Sequence, residues 1–159
     1  MNIRIAEQSD LQDLLDIYNY EVENGVATLD LNPKTLEERQ VWFDEHNVNH
    51  HPLIVAEVDG KSVAYASLSS YREKEAYKSS VELSIYVDVN YRRMGIAAKL
   101  LETIIEIAKE DGTIHTIVSV ITSGNEASTK LHQQYHFTYC GTIKAVGMKF
   151  GRYLDIDNY

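Results

Sequence analysis

The densest alternation in the chain is Val81-Glu82-Leu83-Ser84-Ile85-Tyr86-Val87, with Val81, Leu83, Ile85 and Val87 on one face and Glu82, Ser84 and Tyr86 on the other. A repeat of two residues is that of a half-buried strand. The period then changes. Ile96, Leu100, Ile104 and Ala108 recur every fourth residue, one apolar stripe along a helix that stops at Asp111-Gly112. Arg92, Arg93, Met94 and Gly95 lie between strand and helix. The first N–H groups of a helix have no partner inside it, and the macrodipole adds positive charge there. A glycine at that point lets a ligand approach the backbone, so the turn suits either a pyrophosphate or a solvated hinge.

The same patterns divide the rest of the chain. Ile3-Arg4-Ile5 reads as a first strand, and Ser9-Asp10-Leu11-Gln12 as a capping box for a helix striped by Leu11, Leu14, Leu15, Tyr18 and Val22. That helix ends near Asn24-Gly25. A loop follows, and Thr35-Leu36-Glu37-Glu38 caps a second helix through Trp42 and Phe43. His46, His50 and His51 fall in a polar stretch, expected to be a solvated loop, and their spacing fits no metal site. Leu53 to Val58 is a strand, Asp59-Gly60 a two-residue hairpin, and Ser62 to Leu68 the return strand. The charged segment Tyr71–Lys78 interrupts the sheet as a surface loop. Thr116 to Ile121 forms another strand. Asn125 then caps a helix running to about Tyr135, and Phe137–Ile143 and Ala145–Leu154 close the sheet. With no repeat or linker, residues 1–159 are expected to form a single α/β (α+β) domain.

Composition narrows the partners. The 159 residues are 44% hydrophobic, enough for one domain with a sizeable core. A formal net charge of −9 opposes a nucleic-acid partner, although a local basic pocket is compatible with it. The lone Cys140 excludes an internal disulfide and is expected to be a small buried residue in a reducing compartment. With no membrane-length apolar run and no signal-peptide pattern, a cytoplasmic location is expected.

Arg92-x-x-Gly95-x-Ala97 after an apolar strand resembles the Q/R-x-x-G-x-G/A signature of the GCN5-related N-acetyltransferases. Further stretches resemble the phosphinothricin and methionine-sulfoximine acetyltransferase branch of that superfamily. They include Ile17-Tyr18-Asn19, Arg39-x-x-Trp42-Phe43, Val55-Ala56-Glu57-x-Asp59-Gly60, Val81-Glu82-x-Ser84-x-Tyr86-Val87, Gly124-Asn125-x-x-Ser128-x-x-Leu131-His132 and Val146-Gly147-x-Lys149-x-Gly151-Arg152. The resemblance implies a mixed, twisted sheet of about six or seven strands flanked by about four helices, its central strands splayed to admit acetyl-CoA.

It also implies roles. The co-substrate would lie on Ile85, Tyr86 and Val87, with a main-chain N–H of that strand polarising the thioester. Its pyrophosphate would meet Arg92, Arg93, Met94, Gly95, Ile96, Ala97 and Ala98, and its pantetheine arm Asn125 and Ser128. Glu82 would be the general base for an acceptor amine, an effect typically of about 10²–10⁴-fold. Periodicity alone would make it an ion-paired strand glutamate. The acceptor would meet Arg72, Glu73 and Lys74 of the charged loop together with Glu82, Leu83 and Ser84, with Arg72 suited to a carboxylate or phosphinate. His132 could protonate the departing thiolate or be a buried structural histidine, with Tyr135 as the fallback donor.

The chain departs from the family pattern at Ala97, which the signature allows in place of its second glycine, at Leu131-His132-Gln133 with His136-Phe137, and at Gly151-Arg152-Tyr153, the last bearing on the acceptor pocket or a dimer surface. The expected activity is acetyl-CoA-dependent N-acetylation of a small amino acid or analogue, without a metal, by a homodimer. Acetylation of another amine and a non-catalytic acyl-CoA sensor are the alternatives.

Overall fold

The computed structural model describes residues 1–159. The elements in chain order are β1 (Asn2–Ile5), α1 (Leu11–Asn24), α2 (Leu36–Asp44), β2 (Leu53–Val58), β3 (Lys61–Ser70) and β4 (Ser80–Val87), then α3 (Ile96–Glu110), β5 (Thr116–Val118), β6 (Val120–Thr122), α4 (Glu126–Gln134), β7 (Gly141–Lys149) and β8 (Arg152–Asn158). Five strands form one sheet in the order β1-β2-β3-β4-β5, antiparallel except for the parallel pair β4/β5. The other three form an antiparallel sheet, β6-β8-β7. No helix is long and apolar enough to cross a membrane.

β3 is the spine. Seven consecutive residues, Ser62–Leu68, are buried, because both of its faces are covered. Ala64, Ala66 and Leu68 lie with Ile54, Ala56, Val81 and Leu83 beneath the stripe of α3, where Ile96, Leu100, Ile104 and Ala108 are all buried. On the other face Tyr65, Leu53 and Val55 pack with Leu14 and Ile17 of α1. Opposing pairs place Tyr65 by Tyr86, Ser67 by Ser84 and Ser69 by Glu82 on that second face. The alternation of β4 therefore does what the sequence says: one side enters the core and the other faces α1 and α2.

The two sheets together hold eight strands rather than six or seven, in part because the single strand expected over Thr116–Ile121 changes partners at Ser119. β5 pairs with β4 only through Ser80–Glu82, and β6 pairs with β8. Between them, Ser119 exchanges both backbone hydrogen bonds with Tyr159, each 2.9 Å.

Four other local expectations are corrected. The cap before α1 is built on Asp10, not Ser9: its carboxylate accepts from Glu7 N–H at 2.7 Å while Arg4 and Ser62 hold it in a buried site. The closing hairpin turns at Phe150-Gly151, both at positive φ, not near Lys144, so Lys149 opposes Arg152 and Phe137–Cys140 stays outside the strands. Cys140 is exposed. His46 is buried rather than solvated, with Nδ1 2.6 Å from the Trp42 carbonyl and Nε2 2.8 Å from Ser69 Oγ. The hairpin at Asp59-Gly60 and the caps at Thr35 and Asn125 form as the sequence indicates.

Candidate active site

Beyond Glu82, β4 has no strand beside it on the β5 side, so the backbone groups of its second half are open to a ligand along that edge. The gap is a groove of about 900 Å³, walled by Leu83–Val87, by β6 and by the start of α4. Its floor is the turn into α3. Gly95 caps that helix at φ 79, after Arg93 at φ 62, and the first helical bond runs from Lys99 N–H to the Gly95 carbonyl at 3.2 Å. The amides of Ile96, Ala97 and Ala98 precede that bond and have no helical acceptor, which is the arrangement that receives phosphate. The groove thus offers unpaired helix amides at its floor and an open strand edge along its wall.

The sequence-derived groove residues are brought together with one exception. Ile85, Tyr86, Val87, Arg92, Arg93, Gly95, Ile96, Ala97, Ala98, Asn125 and Ser128 line it. Met94 does not, and its side chain is 65% exposed. Arg92 is already paired with Glu21 of α1, a partner that local sequence gives no hint of. Asn125 Oδ1 accepts from Ser128 N–H at 3.2 Å, so it is a helix cap as well as part of the wall. His132 is buried, with Nδ1 2.7 Å from the Ser128 carbonyl and Nε2 2.8 Å from Ser119 Oγ. A carbonyl only accepts, so Nδ1 carries the hydrogen and Nε2 accepts from the Ser119 hydroxyl. Burial lowers the imidazole pKa, opposed by the bond to Ser128. Tyr135 packs against the α3 core.

A second cavity, of about 310 Å³, opens on the α1/α2 face of the same strands. Ser67, Ser84 and Tyr86 form its base, and Tyr18, Arg39 and Trp42 its helical side. Ser84 and Tyr86 belong to both depressions, so β4 is where an acceptor in one would meet a donor in the other.

Glu82 projects from this face one strand repeat before Ser84. It is half-buried and makes no hydrogen bond or ion pair with the protein. Burial raises its carboxyl pKa and the nearby Arg72 charge partly opposes this. Arg72 itself is exposed, its guanidinium 4.9 Å from the Tyr71 ring centroid. Glu73 and Lys74 are exposed on the same loop. The Leu83 side chain is in the α3 core, so it offers the site only its backbone.

Arg39, Tyr18, Glu21, Ser119 and Arg152 enter these walls without having been assigned there from sequence. For Arg39 a signal was present: a cation three residues before Trp42 on a helix lies over that ring. No group of three or more His, Cys, Asp or Glu is placed to hold a metal ion.

An open strand edge over a glycine-capped helix start, with a second open cavity on the other side of the same strand, is an arrangement suited to a two-substrate transferase of a phosphate-bearing donor. Residues 13–137 match the model of the Acetyltransferase (GNAT) family, and the chain belongs to that family. It is 39% identical over 156 residues to an L-methionine sulfoximine/L-methionine sulfone acetyltransferase of Pseudomonas aeruginosa, covering 98% of this chain and 90% of that protein. It is 36% identical to a phosphinothricin N-acetyltransferase of Streptomyces coelicolor, covering 100% of this chain and 94% of that one. A Sinorhizobium meliloti phosphinothricin acetyltransferase, solved in complex with acetyl-CoA, superposes with a TM-score of 0.95 at 33% identity, covering 99% and 85% of the two chains.

Proposed function

We propose that this chain transfers an acetyl group from acetyl-CoA to the α-amino group of a small amino acid or analogue of the phosphinothricin and methionine sulfoximine or sulfone type. Two named relatives and a structural neighbour act on such acceptors. The observation that carries the reading is Glu82: a half-buried, unpartnered carboxylate on the acceptor face, one repeat before the residues that both cavities share.

The α3 amides from Ile96 to Ala98, Gly95 and the open edge of β4 would hold the co-substrate, with Arg93 beside them. It supplies a thioester carbonyl whose bond to sulfur breaks as the bond to the acceptor nitrogen forms. Glu82 takes the proton that the amine must lose, directly or through one water. Main-chain N–H groups of Ile85–Val87 polarise the carbonyl. Arg72, close enough to affect Glu82, pairs with the acceptor α-carboxylate. His132 is assigned to fixing Ser119 in the groove wall. Its only N–H is committed to Ser128, and a thiol of pKa about 8.5 regains its proton readily from water.

The negative net charge favours a small acceptor over nucleic acid. Exposed Ile143, Val146, Met148, Phe150 and Tyr153 on the closing hairpin support a homodimer, and the free thiol of Cys140 supports a cytoplasmic setting.

The test is thiol release from acetyl-CoA with phosphinothricin, methionine sulfone, spermidine and an aminoglycoside. Turnover confined to the amino-acid analogues is expected, with Glu82→Gln lowering kcat by about 10²–10⁴-fold at unchanged acetyl-CoA affinity. Turnover of spermidine in preference would reject the acceptor class. Full activity in Glu82→Gln would reject the base.

A further inference from the structure

We propose that Arg39 receives an anionic or oxo group at the far end of the acceptor side chain, so that this enzyme selects amino acids by their terminus as well as by their α-carboxylate. The inference rests on the reading of the site as an amino-acid N-acetyltransferase and adds a second point of recognition to it.

Arg39 is 6% exposed, yet it forms no ion pair. Its guanidinium carbon stands 3.5 Å from the Trp42 ring centroid, 4.3 Å from Tyr18 and 5.7 Å from Tyr65. Nη2 donates to Tyr65 Oη at 2.7 Å, and Nε is the one buried side-chain polar atom in the protein with no partner. An arginine cannot escape burial by losing its proton, and a buried charge is ordinarily matched by another. Aromatic faces compensate in part, but they leave N–H groups unfilled.

The carboxylates at the cavity rim do not fill them. Asp30 accepts from Tyr18 Oη and lies 3.8 Å from Lys34 Nζ, and Glu38 Oε1 accepts from Thr35 N–H at 3.2 Å. Arg39 nevertheless lines the same cavity as Ser84 and Tyr86, across β4 from the donor groove. An acceptor whose amine meets the donor at β4 and whose side chain enters this cavity presents its terminus to Arg39. A phosphinate gives that guanidinium a full negative charge, a sulfone or sulfoximine gives it polar oxygens, and a thioether gives it neither. Arg72, exposed and near Glu82, is left for the α-carboxylate.

The first experiment needs no variant: kcat/KM of the wild type for methionine, methionine sulfone and phosphinothricin, acceptors alike in length and different at the terminus. A rise through that order of at least about tenfold overall is expected. A flat series, or a preference for methionine, overturns the proposal while leaving the acetyltransferase standing. In Arg39→Gln the preference for phosphinothricin over methionine should collapse to roughly threefold or less, through KM, with Arg39→Lys retaining part of it. An intact preference in either folded variant also overturns it. If the wild type released no thiol with any of the three, the functional reading would fail separately. Calorimetric titration of phosphinothricin would then decide: binding weakened about tenfold by Arg39→Lys sustains the receptor, and equal or absent binding rejects it.

Discussion

Glu82 carries opposite consequences for function and stability. In the folded chain its carboxyl pKa lies above the ordinary value, chiefly through burial, with Arg72 pulling the other way. The folded state therefore holds this proton more tightly than the unfolded one. The stabilising contribution is complete below the unfolded value of about 4.3 and is lost as pH rises through the raised folded value. Ionised Glu82 is thus a burden on the fold at neutral pH, while the proposed mechanism needs that same ionised form. Glu82→Gln should melt higher than the wild type at pH 7, with the gap closing below about pH 4, in paired thermal scans. Of these residues, the shared face of Glu82, Ser84 and Tyr86 is legible in the chain itself, because a two-residue period needs no tertiary information. Arg39 and His46 were not so legible. Each is polar by composition; Trp42, close by in sequence, covers part of each, but full burial comes from Tyr18 and Tyr65 over Arg39 and from Ser69 against His46, which lie in distant segments.

Among the elements, those set by local chemistry follow from sequence: the Asp59-Gly60 hairpin, the Asn125 cap, and the stripe of α3. Leu100 sits fully buried at the centre of that stripe. Leu100→Ala should cost about 3 kcal/mol, read as a lower urea midpoint at unchanged slope. Elements set by distant partners do not follow. Ser119 looks like one more residue of a β-branched strand, and it becomes a break only because Tyr159 at the far end of the chain takes its backbone bonds. The closing hairpin likewise turns away from its expected place: Gly151 marks the turn in sequence, but its partner Phe150 at φ 53 is not a turn residue.

At the scale of the whole molecule, the acceptor side and the second sheet are tied together. Lys149 of β7 is 3% exposed and donates to the carbonyls of Thr28 and Glu21 at 2.9 and 3.4 Å, while Gly147 leaves room for Leu29. The loop that carries Asp30 to the cavity over Ser67, Ser84 and Tyr86 is therefore held by the hairpin whose Arg152 lines the groove beside β4. A donor bridging the two sheets stabilises only the folded arrangement. Acetyl-CoA at a hundred times its Kd should add about 2.7 kcal/mol and raise Tm by roughly 5–10 °C, measurable by calorimetry.

The open edge of β4 has one more implication. Unpaired N–H and C=O groups along a strand are a template for any extended peptide, including the same segment of a second chain. In the proposed complex the amide-bearing arm of acetyl-CoA would take that place along Leu83–Val87 and act as the missing strand of the sheet. The loaded enzyme offers no such seam to its neighbours. On that reading the donor-free chain is the more prone to self-association, which light scattering with and without acetyl-CoA would check.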